Sequence, residues 1–253
     1  MRDDHKEGSK RGPVKYGRLY GIGIGPGDPK LLTLKAKEIL DRVDLIFCPK
    51  GDEGGTSWAR SIIEATTAAP KKFVELTFPM TRDKKVLKGY WQKAARRIAE
   101  EMAKGKEGAF ITLGDPFIYS TYIYLLRTLR HDYPYIEVET IPGITAFNAA
   151  AARAQVPLVQ GEERLAVLPV TKTLKGLREA FEAFDTVILM KVGSKLDRVM
   201  TLLKELNLLK SSVLVSRLGH PEEKIISNLS SLEADKRAGY LSVVIVKVPK
   251  RKL

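Results

Sequence analysis

The hydrophobic pattern of the chain changes period repeatedly, from short apolar runs to stretches in which apolar residues recur every three or four positions. The first pattern is typical of buried strands and the second of helices that pack on one face. Strands are predicted at 18–24, 44–48, 73–76, 108–113, 136–141, 165–170, 185–191, 212–216, 224–227 and 241–248. Helices are predicted at 30–42, 57–66, 84–104, 119–130 and 196–206, with another beginning close to Thr145. This alternation predicts an α/β fold with mixed, largely parallel sheets.

The pattern is interrupted once by a break that suggests a domain boundary. Pro142 and Gly143 end a strand, and an alanine-rich helix follows. Because proline and glycine are the strongest local breaks in a chain, we place the boundary there. The prediction is a basic N-terminal tail at 1–15, an N-terminal α/β domain at 16–141 and a second α/β domain at 142–253.

Composition narrows the class of protein. The chain has 253 residues, of which 44% are apolar, and this is ample for a buried core. The formal net charge of +13 favours a polyanionic partner such as nucleic acid, anionic lipid or a poly-carboxylate small molecule. Lysine-rich tails and a heat-adapted surface would also produce this charge, so it does not choose a partner by itself.

Several features are predicted to be absent. No apolar run reaches the roughly 18 residues of a membrane span, and the first 15 residues are polar, so we expect a cytoplasmic protein. Cys48 is the only cysteine, which excludes an intramolecular disulfide. The three histidines share no ligand spacing, so we predict no protein-bound metal.

Glycines occupy alternate positions in the stretch YGIGIGPGDPK, from Gly21 to Gly27. A dinucleotide-binding turn needs G-x-G-x-x-G, and this register is different. Asp28 followed by Pro29 is typical of an N-cap and a first helical position, so a carboxylate already occupies the helix end where a phosphate would bind. The stretch is therefore not predicted to be a phosphate cradle.

Small residues follow many of the predicted strands, at the sheet edge where ligands bind in α/β folds. The loops are 25–28, 49–51, 113–116, 142–145, 190–193 and 216–220. Glycine and proline at a strand end let a ligand approach the backbone closely. Taken singly, each loop is explained equally well as an ordinary turn.

Three of these segments together carry a family resemblance. GIGPGDPKLLTLKA, LGDPFIYS and IPGITAFNAA, in this order, resemble the signature segments of the tetrapyrrole methylases, over about 18–248. The resemblance implies two α/β domains with the active site in the cleft between them, S-adenosyl-L-methionine as methyl donor, and a homodimer. It also implies that the first domain and its glycine-rich loop face the substrate and that the second domain shares the donor site.

The resemblance implies a set of donor contacts, which it assigns to Pro26, Pro49, Leu113, Gly114, Asp115, Ile118, Thr145, Ala146, Met190 and Leu218. Asp115 is also the best visible candidate for a catalytic proton acceptor. Its simpler interpretation is a carboxylate that stabilises a turn. Pro49 stands where the uroporphyrinogen-III methyltransferases carry an acidic residue, which counts against that branch of the family.

The segments CPK and GDPFIYSTYIYLL are more similar to the branch that methylates C20 of precorrin-2 or cobalt-precorrin-2 in cobalamin biosynthesis. Such a substrate carries eight carboxylates, and any cobalt would be part of the substrate. Lys50, Arg82, Lys191 and Arg217 are expected to bind it, because cations bind carboxylates, and Tyr119 could stack on or hydrogen-bond to the macrocycle. Each of the four cations is equally well explained as an ordinary surface charge.

Alternative functions within the same fold are another tetrapyrrole ring methyltransferase, an rRNA 2′-O-methyltransferase and a diphthine synthase. A non-catalytic nucleic-acid binder would account for the charge but not for the three motifs. Positive residues alternate with acidic ones along the predicted helices, and no basic–aromatic patch is visible. Nucleic acid and membrane are therefore not expected as partners.

Overall fold

The structure, a computed structural model, describes residues 16–51, 58–67, 70–79, 81, 83–231 and 241–249. The predicted N-terminal tail at 1–15 and Arg82 lie outside the described residues. The chain divides into two compact units. The first contains the described residues within 16–22, 34–112 and 119–142, and the second contains those within 23–33, 113–118 and 143–249. The domain assignment at 142 stays a prediction, and the units are described separately.

The first sheet contains five strands in the order β3-β2-β4-β1-β5. The strands are β1 (Leu19–Gly23), β2 (Leu45–Lys50), β3 (Phe73–Thr77), β4 (Gly108–Thr112) and β5 (Val138–Ile141). The pairs β1–β5, β2–β3 and β2–β4 are parallel. Buried strands of this kind read as continuous apolar runs because helices cover both faces of a parallel sheet.

The helices of the first unit are α1 (Leu34–Arg42), α2 (Trp58–Glu64), α3 (Lys84–Met102) and α4 (Tyr122–Asp132). Helix α3 begins where Asp83 accepts hydrogen bonds from the backbone N–H groups of Lys85 and Val86, at 2.8 and 3.2 Å. Its apolar face, which includes Ile98 and Met102, packs into the core of the unit. The helical spacing of apolar residues predicted this helix to within two residues at its C-terminal end.

Two boundaries in the first unit differ from the prediction. The expected helix at 30–42 is a 3-10 turn at Pro29–Leu31 followed by α1 from Leu34. Strand β2 was expected to end at Cys48 and instead continues through Pro49 to Lys50. Pro49 is tolerated because β4 pairs only with the first half of β2, whereas Pro49 lies opposite Leu76 of β3.

The second sheet also has five strands, in the order β6-β7-β10-β8-β9. They are β6 (Leu165–Pro169), β7 (Thr186–Met190), β8 (Ser212–Ser216), β9 (Lys224–Ile226) and β10 (Ser242–Lys247). Only β6–β7 is a parallel pair, and the other three pairs are antiparallel. The connection from β8 to β9, at 217–223, is too short for a parallel crossover. The α/β fold is confirmed, with one parallel and one mixed sheet.

Alternating residues of the second sheet pack into two separate cores. Helix α5 (Ala146–Ala154) covers one face, where it packs with Ile188, Val213, Val215, Val243 and Ile245. Helices α6 (Leu177–Ala183) and α7 (Leu196–Glu205) cover the other face, where they pack with Val187, Leu189, Leu214, Val244 and Val246. Successive side chains of a strand point to opposite faces, so both faces of this sheet are buried.

Within the described residues, no helix combines the length and apolar composition needed to cross a membrane.

Candidate functional site

Three loops of the second unit follow strands that are neighbours in the first sheet. The loops begin after β4, β1 and β5, which stand next to one another in the strand order. The first two loops pair directly. Gly114 donates its N–H to the carbonyl oxygen of Gly25 at 2.7 Å, and Gly25 donates back to Gly114 at 3.3 Å. The strand order thus accounts for the proximity of motifs that lie about 90 residues apart in the sequence.

The glycines of these loops allow backbone to pack on backbone. A Cβ atom on Gly23 would lie 2.6 Å from both the carbonyl oxygen of Gly114 and the nitrogen of Gly143. One on Gly27 would lie 2.0 Å from the carbonyl oxygen of Leu218, in the loop after β8. One on Gly219 would lie 2.2 Å from the nitrogen of Asp28. Two of the alternate glycines, Gly23 and Gly27, therefore serve close packing among four loops, which agrees with the rejection of a phosphate cradle.

The Asp28 cap is confirmed. The Asp28 carboxylate accepts a hydrogen bond from the backbone N–H of Lys30 at 2.9 Å, and Pro29 opens the 3-10 turn. This carboxylate occupies the position at which an anion would bind.

Asp115 connects two loops through both of its carboxylate oxygens. Oδ1 accepts a hydrogen bond from the backbone N–H of Phe117 at 2.8 Å, within its own loop. Oδ2 accepts one from the backbone N–H of Gly143 at 3.1 Å, in the loop after β5. This geometry favours the simpler interpretation, a carboxylate that stabilises a turn and positions a second loop. The role of Asp115 as a proton acceptor stays a prediction.

The predicted donor positions divide unevenly between the two units. All except Pro49 belong to the second unit, and Pro49 lies in the first. Gly114 and Leu218 are buried, and Ile118 is exposed. The remaining positions of the second unit are partly buried, namely Pro26, Leu113, Asp115, Thr145, Ala146 and Met190.

Two of these positions are fixed by local structure. Thr145 is the N-cap of α5, and its side-chain oxygen accepts the N–H of Asn148 at 3.3 Å. Leu218 packs its side chain into the apolar core of the second unit. Leu218 can therefore contact a ligand only through its backbone.

Three of the predicted substrate residues have left-handed backbone conformations. Tyr119, Lys191 and Arg217 have φ angles of 51°, 57° and 50°. For residues with a side chain this conformation costs roughly 1–3 kcal/mol, and such strain clusters at functional sites. Tyr119 cannot continue a helix in this conformation, which explains why α4 begins at Tyr122 rather than at the predicted residue.

The cations among these residues have different surroundings. Burial of the ammonium lowers the pKa of Lys191, although parts of the residue are exposed. The guanidinium of Arg217 pairs with Glu222, and the Nζ atom of Lys50 lies 2.9 Å from Oε2 of Glu75. Lys50 and Tyr119 belong to the first unit, and Lys191 and Arg217 to the second.

Sequence reasoning missed the residue that anchors the loop after β8. Glu223 accepts the backbone N–H of Gly219 at 2.7 Å and also binds the guanidinium of Arg153, with the nearest oxygen at 2.6 Å. This partnership joins residues 70 positions apart. A single glutamate outside any recognised motif gives no sequence signal for such a role.

In the part of the chain that the structure describes, no group of three or more His, Cys, Asp and Glu side chains could hold a metal ion.

Comparison with known proteins identifies the family. Residues 18–233 match the tetrapyrrole (corrin/porphyrin) methylases. The chain belongs to this family. The resemblance found in the three motif segments is thereby confirmed.

Relatives of the chain within the family are similar over almost their whole length. A probable cobalt-precorrin-2 C(20)-methyltransferase of Methanocaldococcus jannaschii is 38% identical, over 92% of this chain and 97% of the relative. A cobalt-precorrin-2 C(20)-methyltransferase of Salmonella typhimurium is 33% identical, over 91% and 96%. A precorrin-2 C(20)-methyltransferase of Sinorhizobium sp. is 32% identical, over 92% and 96%.

Solved structures of more distant methylases share the fold. A cobalt-precorrin-4 methyltransferase superposes with a TM-score of 0.69 at 21% identity, over 90% of this chain and 94% of the other. A uroporphyrin-III C-methyltransferase of Thermus thermophilus, complexed with S-adenosylhomocysteine, has a TM-score of 0.61 at 19% identity, over 91% and 97%.

We predict that Gly23→Ala destabilises the methylase more than Gly89→Ala does, which adds a Cβ atom where there is room for it. The added Cβ would meet two backbone atoms, which cannot rotate away, and overpacking of this kind costs about 1–3 kcal/mol. The free energy of unfolding should be compared with that of Gly89→Ala. Gly89 lies within α3, and a Cβ there meets nothing within 4 Å. Equal stability of the two variants would contradict the packing described for the loops.

Proposed function

We propose that this protein is an S-adenosyl-L-methionine-dependent C-methyltransferase of cobalamin biosynthesis, which methylates C20 of precorrin-2 or cobalt-precorrin-2. The observation that carries the proposal is the similarity to three proteins named for this reaction, at 32–38% identity over more than nine-tenths of each chain. Two of these names specify the cobalt form and one the metal-free form. Both substrates are therefore included.

The loops of the second unit fit a nucleoside-type methyl donor. They present backbone groups at the ends of β7 and β8 and at the start of α5, beside partly buried apolar residues such as Ile144, Ala146 and Met190. Ligand sites of this kind combine apolar walls with a few backbone hydrogen-bonding groups. The donor supplies an electrophilic methyl group. The complex of a Thermus thermophilus methylase with S-adenosylhomocysteine supports the same ligand class.

The residues of the site act mainly by positioning. Asp115 holds the loop after β4 against the loop after β5, and the glycine contacts fix the loops after β1 and β8. An electron-rich carbon of a reduced tetrapyrrole needs little covalent assistance. A rate gain from such a site then comes from holding the reacting groups in line, about 3–3.5 Å apart.

Cations at the strand ends suit a substrate with eight carboxylates. Lys191 and Arg217 follow β7 and β8 directly, each in a strained backbone conformation. Strained conformations persist only where the surrounding structure enforces them. The backbone at both residues is therefore held in place, which limits the directions their side chains can take. We propose that both residues bind substrate carboxylates. The net charge of +13 would draw the same substrate toward the protein.

The remaining expectations from the family resemblance are also proposals. We propose a cytoplasmic homodimer whose partner is the small tetrapyrrole rather than nucleic acid. The metal, where present, belongs to the substrate.

Anaerobic incubation with methyl-labelled S-adenosylmethionine tests the proposed function. Parallel reactions contain precorrin-2, cobalt-precorrin-2 or ribosomal RNA. We expect label at C20 of one or both tetrapyrroles and none in RNA. Label at another ring carbon, or only in RNA, would overturn the proposed substrate.

Replacement of Asp115 separates a positioning role from proton transfer. We predict that Asp115→Asn weakens binding of S-adenosylhomocysteine and lowers turnover roughly tenfold, since an amide keeps one acceptor but its NH2 cannot accept the Gly143 N–H. Asp115→Ala, which loses both acceptors, should have the larger effect. Binding is measured by calorimetry and turnover at saturating substrates. Unchanged binding with a turnover loss of several orders of magnitude would favour proton transfer instead.

Glycine at position 191 separates backbone strain from the charge of the side chain. We predict that Lys191→Gly and Lys191→Met both raise KM for the tetrapyrrole several-fold, the scale of one charged contact. Lys191→Gly should be at least as stable as Lys191→Met, because glycine tolerates a φ of 57°. Asn207→Gly is the control, since Asn207 has a φ of 56° next to α7. A KM that is unchanged in both Lys191 variants would exclude this residue from the substrate site.

A further inference from the structure

A cavity of about 360 Å³ lies within the first unit, beyond the ends of β2 and β3. The side chains that define its character are Lys50, Phe78, Leu87, Trp91, Thr121 and Tyr124. We call this cavity the aromatic–lysine pocket. None of its aromatic residues belongs to the predicted site, and Trp91 was interpreted from its helical spacing as a core residue.

Ordinary features of the fold build this pocket. Lys50 is the last residue of β2, and Phe78 follows β3 and donates its N–H to the Lys50 carbonyl oxygen at 2.8 Å. Trp91 comes from α3, and Tyr124 from the first turn of α4. The pocket is therefore at the carboxyl edge of a parallel sheet, where α/β folds bind ligands.

One wall of the pocket is a flat aromatic surface. The rings of Trp91 and Tyr124 stack with their centroids 4.5 Å apart and an interplanar angle of 3°. Tyr124 is 45% exposed, and Trp91 is only partly buried. Because the two rings cover each other's facing surfaces, a planar ligand can lie on an outer face or along the edge of the pair, at little entropic cost.

The charged group of the pocket is a lysine, which can bind an anion. Of the described residues that line it, Lys50 alone is charged. Its ammonium is held 2.9 Å from Oε2 of Glu75, while Oε1 of the same carboxylate lies 3.8 Å from Arg60. Lys50 therefore has a fixed position and N–H donors beyond the one directed to Glu75. A cationic sulfonium donor finds no acidic group among these lining residues.

The volume limits the size of the occupant. Cavities that enclose a whole drug-sized ligand run to roughly 300–1,000 Å³. At about 360 Å³ the pocket is near the lower end of this range, so it suits one edge of a macrocycle rather than the entire ring.

We propose that the aromatic–lysine pocket binds one pyrrole edge of the tetrapyrrole, with the ring against Trp91 and Tyr124 and a carboxylate arm on Lys50. This inference rests on the proposed function, since it names a subsite for the proposed substrate. Pro49, one of the predicted donor positions, also lines the pocket, whereas the pocket's aromatic rings and Lys50 contact the tetrapyrrole alone.

Binding of uroporphyrin, a stable octacarboxylate tetrapyrrole, tests the subsite without catalysis. We expect Tyr124→Leu and Lys50→Met each to weaken binding roughly tenfold in calorimetry, the scale of one stacking or one charge-assisted contact. Tyr124→Phe keeps the ring and should bind like the unsubstituted protein. Tyr135→Leu is the matched control, because Tyr135 is an exposed tyrosine whose ring contacts that of Tyr16 outside the pocket. Binding that is equal in all four variants would overturn the proposal.

Fluorescence supplies an independent readout of uroporphyrin binding. The chain has two tryptophans, so Trp58→Phe leaves Trp91 as the only one. We expect uroporphyrin to quench Trp91 fluorescence in this variant, and Tyr124→Leu to shift the quenching curve to higher concentration. Uroporphyrin binding without quenching of Trp91 would contradict the proposed location.

Kinetics separates failure of the subsite from failure of the proposed function. We expect Tyr124→Leu to raise KM for the tetrapyrrole and to leave KM for the donor unchanged. Methyl transfer to C20 with an unchanged tetrapyrrole KM would overturn the subsite and leave the function standing. If the unsubstituted protein transfers no methyl to either tetrapyrrole, the proposed function fails, whereas uroporphyrin binding still reports on the pocket.

Discussion

The close approach of backbone to backbone among four loops is the constraint on which the candidate site depends. Gly23, Gly27, Gly143 and Gly219 each leave no room for a Cβ atom beside a backbone atom of another loop. This packing holds four loops of the second unit against one another. Side chains can then be few at the site, and the Asp115 carboxylate serves to hold two loops together. Gly23 and Gly27 therefore serve backbone packing. A phosphate would not bind at the start of the short helix, because the Asp28 carboxylate already caps it.

Most of the fold could be predicted from the sequence because its strands and helices have strong and different periods. The strand at 212–216 and the helix start close to Thr145 match the structure directly. The direction of strand pairing in the second sheet could not be predicted from the sequence, since apolar runs look alike in parallel and antiparallel sheets. The strand order of that sheet depends on how short connections fold back, and hydrophobic periodicity does not contain this information.

The candidate site was predictable in its loops but not in the function of its side chains. Motif resemblance selected the loops 113–116 and 142–145, yet the partners of Asp115 are backbone N–H groups that sequence does not reveal. For Trp91 the sequence pattern suggested a role that the structure changes. Its spacing along α3 is that of a core residue, and only its stacking against Tyr124 shows a face of the helix that borders a cavity. Long-range geometry, rather than local propensity, decides such cases.

Hydrogen–deuterium exchange with S-adenosylhomocysteine tests the central claim, that the packed loops of the second unit form the donor site. Ligand-dependent protection is predicted in the four packed loops, 25–28, 113–118, 143–146 and 216–220, which are distant in sequence. The segment 173–176, which lines a separate cavity with residues of α6 and α7, should exchange at the same rate with and without ligand. Protection at 173–176 instead, or protection of none of the four loops despite measured binding, would contradict the account.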